Sequence, residues 1–288
     1  IRNQINGLLL LDKPLGLSSN RAIQRVKWIL NAEKVGHTGT LDPLATGLLP
    51  VCLGEATKFA NYLLDGDKEY LATAQLGIVT DSGDSEGKLV ASNPVDTDLT
   101  KIQAALQHFT GAISQIPPMY SALKHNGRPL YEYAREGIEI ERKVRQVVIH
   151  QLELISYNAE LQQITFRAKV SKGTYIRTLA EDIGNLLGCG ASLIALRRTQ
   201  TNQFLLADAC SLEDLEQITD LSELQLLSPA ILCEQLVDYT VSPEQYLSIK
   251  FGNPVHLNEL PDGLLLEQEV KIYANQHFLG VATITERY

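Results

Sequence analysis

Cysteine is scarce here, with four residues in a chain of 288. Cys52, Cys189, Cys210 and Cys233 stand far apart, without a C-x-x-C pair and without a histidine at ligand spacing. That excludes a disulfide framework and a zinc signature, and scattered reduced thiols fit the cytosol. No uncharged apolar run reaches the ~18 residues of a membrane-spanning helix. The start, Ile1-Arg2-Asn3-Gln4, has neither an initiator Met nor a signal-peptide pattern, which predicts a trimmed, cytoplasmic chain. What remains is ordinary globular composition, 44% hydrophobic and 20% charged, enough for one large domain or two unequal ones.

Positive charge is also in deficit, with a formal net charge of −9, which argues at first against a nucleic-acid partner. The distribution changes that conclusion. Residues 205–288 hold three basic side chains (Lys250, Lys271, Arg287) against fourteen acidic ones, while residues 1–204 hold 22 against 20. The acidic tail is the part that must stay off a phosphate backbone, and the first part remains open to RNA.

The stretch from Val35 to Leu49, VGHTGTLDPLATGLL, concentrates glycine, threonine, histidine, aspartate and proline between apolar runs. Asp42 before Pro43 is restricted to extended backbone, so its carboxylate projects from a stiffened loop as a candidate nucleophile, acid or base. Asp42 as N-cap with Pro43 at the first helical position is the competing reading, and spacing alone favours it.

Around this loop, 7–12 reads as a buried strand and 13–16 as a turn, where Lys13 is an ordinary solvated lysine. Ser18 or Ser19 caps a helix carrying Ile23, Val26 and Leu30 on one face. A strand over 47–53 and a helix over 55–64 follow. Alternation over 68–77 puts Tyr70, Ala72, Ala74 and Leu76 on one strand face. The polar stretch 80–86, with Asp81, Asp84 and Glu86, lacks the rest of a calcium loop and reads as a solvated turn. Residues 99–109 form an amphipathic helix.

Between Gln115 and Arg145, Lys124, Arg128, Arg135, Arg142, Lys143 and Arg145 interleave with Tyr120, Tyr131 and Tyr133. Cations among aromatics suit a surface for phosphates and stacked bases, with Lys124 and Arg128 beside the Asn126-Gly127 turn as its candidates. A protruding hairpin whose four glutamates cancel the charge is the alternative. Strands over 147–157 and 161–170 lead through Lys172 to Thr178 into a helix with Leu179, Ile183 and Leu187 inward. Arg177 in its first turn opposes the helix dipole and calls for a carboxylate partner. A strand over 193–197 is closed by Arg197-Arg198, helices cover 212–218 and 229–236, and short strand-like runs (254–256, 270–273, 278–281) suggest a β-rich appendix from about Val237.

In order, LDKPLG (11–16), GHTGTLDPLATG (36–47), KEY (68–70), QIPP (115–118), YSALK (120–124), Gly127, LYE (130–132), Ala134-Arg135, GTYIR (173–177) and LRR (196–198) resemble the bacterial tRNA pseudouridine synthase B (TruB) family. The resemblance covers about residues 7–200, with the C-terminal part a looser match to the family's PUA-type appendix. Ser18 stands where the family often has Thr.

The resemblance implies an α/β (α+β) pseudouridine synthase fold: a mixed β-sheet flanked by helices and loops, with a small β-rich PUA-like C-terminal domain. It implies a catalytic domain over 1–237, carrying an RNA-gripping insertion at 117–146, and an RNA-binding domain over 238–288. The implied activity is that of a tRNA pseudouridine(55) synthase acting on the T-arm stem-loop, with no cofactor or metal and no membrane partner, as a monomer. Asp42 matches the catalytic aspartate, whether it attacks the sugar, attacks the ring or assists elimination. Arg177 matches its arginine partner, and Tyr70 the tyrosine that stacks on the base and is a candidate for taking the ring proton. Tyr175 and Leu196 match pocket-lining residues, His37 the side chain that fills the gap left by the flipped base, and Lys13 a lysine near the site. A non-catalytic RNA-binding or RNA-folding protein on the same scaffold is the alternative, although it needs none of Asp42, Tyr70 and Arg177. A glycosidase would need a second carboxylate, and Asp12 or Glu69 are the only offers.

Overall fold

The computed structural model describes residues 2–257 and 259–286. The apolar run Leu8–Leu11 sits in β1 (Gly7–Lys13) and is buried on both faces: Leu9 and Leu11 join the larger core, Leu8 and Leu10 the smaller one. A strand covered on both sides reads as a continuous hydrophobic run rather than an alternation. Helix α1 (Ser19–Ile29) follows, with the Ser18 hydroxyl accepting from the Arg21 amide as the expected cap. Next come β2 (Val35–His37) and β3 (Ala45–Leu53). Asp42 therefore starts no helix. Residues 42–45 form a turn closed by the Ala45 amide on the Asp42 carbonyl at 2.9 Å, and the chain runs straight into a strand. The competing reading of this loop was local; the pairing that β3 makes with β1 and a distant strand overrides it.

Residues 54–63, expected as a helix, wind as 3-10 turns. Strand β4 (Lys68–Leu76) has the predicted alternation, with Tyr70, Ala72, Ala74 and Leu76 buried. The stretch taken for a solvated turn lies in a hairpin of β5 (Ile78–Thr80) and β6 (Leu89–Ser92), and Asp84 within it is buried. Then follow α2 (Leu99–His108), β7 (Gly111–Gln115), the small hairpin β8 (Lys124–His125) and β9 (Arg128–Pro129), and α3 (Leu130–Arg135). The long strand β10 (Arg145–Asn158), β11 (Gln163–Val170), α4 (Ile176–Leu186) and β12 (Ala191–Thr201) complete the centre. Strand β12 continues past Arg197 and Arg198 to Thr201, so those arginines lie within the sheet rather than at its end.

The main sheet runs β1-β3-β12-β4-β11-β10-β7, with β2 paired to β3 and Phe204–Leu205 paired to β12. Among these pairings β3 against β12 is parallel and the others are antiparallel, which makes the sheet mixed. Leu227 exchanges two 2.9 Å backbone bonds with Leu8 and so covers part of the exposed edge of β1. A helix α5 (Leu212–Gln217) and 3-10 turns at Leu206–Asp208, Leu221–Glu223 and Pro229–Cys233 lead out of the sheet.

The last part is a separate three-stranded sheet of β13 (Val237–Thr240), β14 (Glu269–Ala274) and β15 (His277–Thr283), numbered here after the Phe204–Leu205 pair, with α6 (Pro243–Lys250). Val241, Leu264, Val270 and Ile272 form its own small core. The Pro254–His256 run, expected as strand-like, has no regular structure. No helix among the described residues is long and apolar enough to cross a membrane.

Candidate active site

Sheet register assembles the site. Arg198 on β12 lies opposite Gly47 of β3 on one side and Tyr70 of β4 on the other; Leu196 lies opposite Ala45 and Ala72. Three segments distant in sequence thus meet where β3 begins, immediately after Asp42. The approach at Gly47 is tight: with φ of +101°, an added Cβ would fall 2.3 Å from the Arg198 carbonyl oxygen, so only glycine fits.

The loop before β3 is pinned on both sides. The Ser19 hydroxyl accepts from the Leu41 amide at 2.7 Å and donates to the Leu41 carbonyl at 3.0 Å, and the Gly16 amide donates to the Pro43 carbonyl at 2.8 Å. Arg198, 1% exposed, donates to the carbonyls of Leu48 at 2.8 Å and Gly39 at 3.3 Å, one on each side of Asp42. Its neighbour Arg197 grips Asp12 through two hydrogen bonds of 3.0 and 2.8 Å.

Arg177 enters from the start of α4 and places its Nε 2.9 Å from Oδ2 of Asp42. The guanidinium also donates to the carbonyls of Ser82 at 3.0 Å and Tyr120 at 2.6 Å, and Asp84 Oδ2 lies 4.0 Å away. The carboxylate partner that Arg177 called for is therefore present. Arg177 is 5% exposed, while 39% of the Asp42 side chain stays open. Burial raises the Asp42 carboxyl above the usual range and nearby Asp84 adds to this; Arg177 and then Lys13 pull it back.

Beside the pair lies a cavity of about 360 Å³, walled by Asp42, Tyr70, Tyr175, Arg177 and Leu196, together with Lys68, Ser121, Gly173 and Arg198. Five of the nine residues singled out from sequence therefore share one cavity, and the other four stand outside its lining. Burial raises the phenol of Tyr175 above its ordinary value. His37 sits on β2, its imidazole pushed towards the neutral form by burial and by Arg198. Lys13 is not the solvated turn lysine that its position suggested. It is fully buried, donates to the carbonyls of Pro14 at 3.0 Å and Leu17 at 2.5 Å, and is pushed down to about 8 by burial despite the opposing pull of Asp42.

Lys124 and Arg128 belong to the insertion and are not among the residues lining the cavity, although Leu123 beside Lys124 is. Lys124 is exposed, and among the described residues no carboxylate lies within ion-pair distance of it. Arg128 is occupied by Glu132 and Glu136 and stacks 4.6 Å above the Tyr133 ring.

Sequence reasoning missed Lys68, Asp84 and Arg198. Alternation would have put Lys68 with Tyr70 and Arg198 with Leu196; no local pattern marks Asp84. Among the described residues no group of three or more His, Cys, Asp or Glu side chains could hold a metal ion.

Comparison with known proteins agrees with this architecture. The TruB family pseudouridylate synthase (N terminal domain) profile matches residues 27–176, and the tRNA pseudouridylate synthase B C-terminal domain profile matches residues 177–237. The tRNA pseudouridine synthase B of Chromobacterium violaceum is 50% identical over 283 residues, spanning 97% of this chain and 91% of the relative. That of Cupriavidus metallidurans is 47% identical over 293 residues, spanning 99% and 92%. Among solved structures, one of a Cbf5-Nop10-Gar1 complex superposes with a TM-score of 0.70 at 27% identity, covering 97% of this chain and 79% of that one. With its pseudouridine synthase fold and these matches along its length, the chain belongs to the TruB family of pseudouridylate synthases.

Proposed function

We propose that this enzyme, which isomerises uridine in tRNA, acts on the uridine at position 55 of the T-loop. The base is flipped out of its stack into the cavity, with Asp42 as the catalytic carboxylate. The observation that carries this reading is the Asp42–Arg177 pair, 2.9 Å apart beside a cavity walled by Tyr70, Tyr175 and Leu196. Isomerisation breaks the bond from the sugar carbon to the ring nitrogen, forms one from the same carbon to ring carbon 5, and moves the proton of that carbon to the nitrogen. No atom is gained or lost. Whether through the sugar or through the ring, each path needs an ionised, aimed carboxylate, and a guanidinium at hydrogen-bond distance favours that form. Tyr70 offers a ring to stack on the base and a phenol for the ring proton. Extruding the base costs a few kcal/mol, part of which a side chain inserted in the gap offsets; His37 is the residue assigned to that task.

In this reading residues 1–237 form the catalytic domain, 117–146 grip the T-arm stem-loop with Lys124 and Arg128, and 238–288 add a second RNA contact. The enzyme works in the cytoplasm as a monomer, without cofactor. The test is to incubate it with an unmodified T-arm stem-loop and map pseudouridine base by base. A single product at the position-55 uridine is expected, and Asp42→Asn should abolish tritium release from the uracil ring while RNA binding stays within a few-fold. Turnover by that variant, or product elsewhere, refutes the assignment.

A further inference from the structure

Lys68 opens β4 two residues before Tyr70, on the same strand face, and both side chains wall the cavity beside Asp42. Its half-buried ammonium donates to the carbonyls of Leu64 at 2.8 Å and Gly66 at 2.6 Å. An ammonium carries three donors, so these bonds fix its place and leave one for the cavity. The acids nearest to it are engaged elsewhere: Asp65 with Lys172 at 3.0 Å, and Asp67 with His150 at 3.2 Å. Among the described residues no carboxylate comes within ion-pair distance of Lys68. Arg198, whose guanidinium spans two loop carbonyls, adds a second positive charge to the same wall, and Lys172 stands near. A cation recessed in a cavity wall, without an acidic partner and held by carbonyls, is a site arranged for an anion brought from outside.

We propose that Lys68 is a substrate-binding residue, its ammonium taking an oxygen of the RNA phosphodiester next to the uridine held against Asp42. This rests on the reading of the cavity as the seat of a flipped uridine. A phosphate is the anion that such a nucleotide must bring with it. Of the other cations lining the cavity, Arg177 is held by Asp42 and the Ser82 and Tyr120 carbonyls, and Arg198 is 1% exposed with its Nε and Nη2 on loop carbonyls. The neutral uracil carbonyls are the other acceptors in reach, and the test separates them.

Binding of an unmodified T-arm stem-loop is measured against salt for the wild type, Lys68→Met and Lys68→Arg. Lys68→Met is expected to weaken binding about tenfold, as for loss of a charged hydrogen bond. The same variant should lower the slope of log affinity against log salt by ~0.7–0.9, one phosphate's worth. Its KM rises more than its kcat falls, and Lys68→Arg restores most of the affinity. Unchanged affinity and slope overturn the proposal, as does a fall in kcat with affinity and slope intact, which marks a contact to the base.

If loss of the Leu64 and Gly66 bonds unfolds Lys68→Met, the comparison of wild type with Lys68→Arg decides. Burial and then Arg198 push the Lys68 ammonium down to about 8, against the opposing pull of Asp65 and Asp67, with Lys172 aiding the fall. Across the cavity stand Asp42 and Arg177, common to both proteins. Raising pH from about 7 to about 9 should therefore cost the wild type several-fold more affinity than the arginine variant, which stays charged. Parallel curves refute the proposal. Failure of the wild type to convert the stem-loop would overturn the position-55 reading instead, a result visible in the same preparations.

Discussion

Arg177 Nε lies 2.9 Å from Asp42 Oδ2, yet the same guanidinium holds the carbonyl of Ser82 in the β5–β6 hairpin and that of Tyr120 in the insertion. One side chain thus joins the carboxylate of the β3 loop, the hairpin over it, and the segment assigned to RNA. Movement of the insertion that carries Tyr120 away removes a restraint from the group that aims Asp42. Gln115 reinforces this junction, since its buried amide both accepts from the Tyr175 amide at 3.0 Å and donates to the Tyr175 carbonyl at 3.2 Å.

Removing Arg177 should act on rate and pH profile together. Its charge lowers an Asp42 carboxyl that burial and Asp84 raise, so Arg177→Met lifts that carboxyl further. The acid limb of kcat/KM then moves to higher pH, and kcat/KM at neutral pH falls by about a hundredfold or more. Stability falls by about 3–5 kcal/mol, because buried Asp84 and recessed Asp42 lose their shared cation. A pH–rate profile with an unmoved acid limb would separate Arg177 from the ionisation of Asp42.

Gly47→Ala tests the register. The new methyl would meet the Arg198 carbonyl at 2.3 Å in a backbone conformation, φ of +101°, that alanine rarely adopts. Chemical denaturation should show a loss of about 2–4 kcal/mol, from strain and from parting β3 and β12. A loss below about 1 kcal/mol would mean that this contact relaxes freely.

The sequence made some of this legible because certain signals are local. Alternation put Tyr70 on one strand face with Ala72, Ala74 and Leu76, the apolar run 8–11 marked a buried strand, and the position of Arg177 in a first helical turn called for a carboxylate. The remaining contributors depend on distant pairing. Asp84 looked solvated until the hairpin folded over Arg177, Lys13 looked like a turn lysine until its ammonium found two carbonyls, and Asp42 looked like an N-cap until β3 paired with β12. For Asp84 and Asp42 a long-range contact overruled a sound local preference; Lys13 finds its carbonyls locally, at Pro14 and Leu17, while its strand pairs with β3 at Gly47.

The two insertion cations should differ. Lys124 is exposed and without a carboxylate partner among the described residues, so Lys124→Ala should weaken stem-loop binding several-fold and lower the salt slope. Arg128 already satisfies Glu132 and Glu136, so Arg128→Ala releases two acids as it removes one cation. It should also weaken binding, chiefly by loosening α3 and adding repulsion. Titration of both variants at several salt concentrations checks this. Equal effects on the salt slope would mean that Arg128 leaves its glutamates for phosphate.

Glu181, on α4 one turn beyond Arg177, gives a pH-dependent expectation for stability. Burial first, then Asp182 and Asp84, push its carboxyl from 4.5 up to about 7, against the pull of Arg177. Between those values the folded chain keeps a proton that the unfolded chain releases, so raising pH through that window removes stability, and above about 7 the whole cost is present. Glu181→Gln keeps the shape and cannot ionise. Thermal melts near pH 4, where both forms are neutral, should therefore coincide. At about pH 8 the variant should be more stable by about 1–2 kcal/mol, less than the full linkage because the side chain keeps some solvent. A gain of the same size at both pH values would assign the effect to packing, and no gain at either would mean that Glu181 ionises without cost.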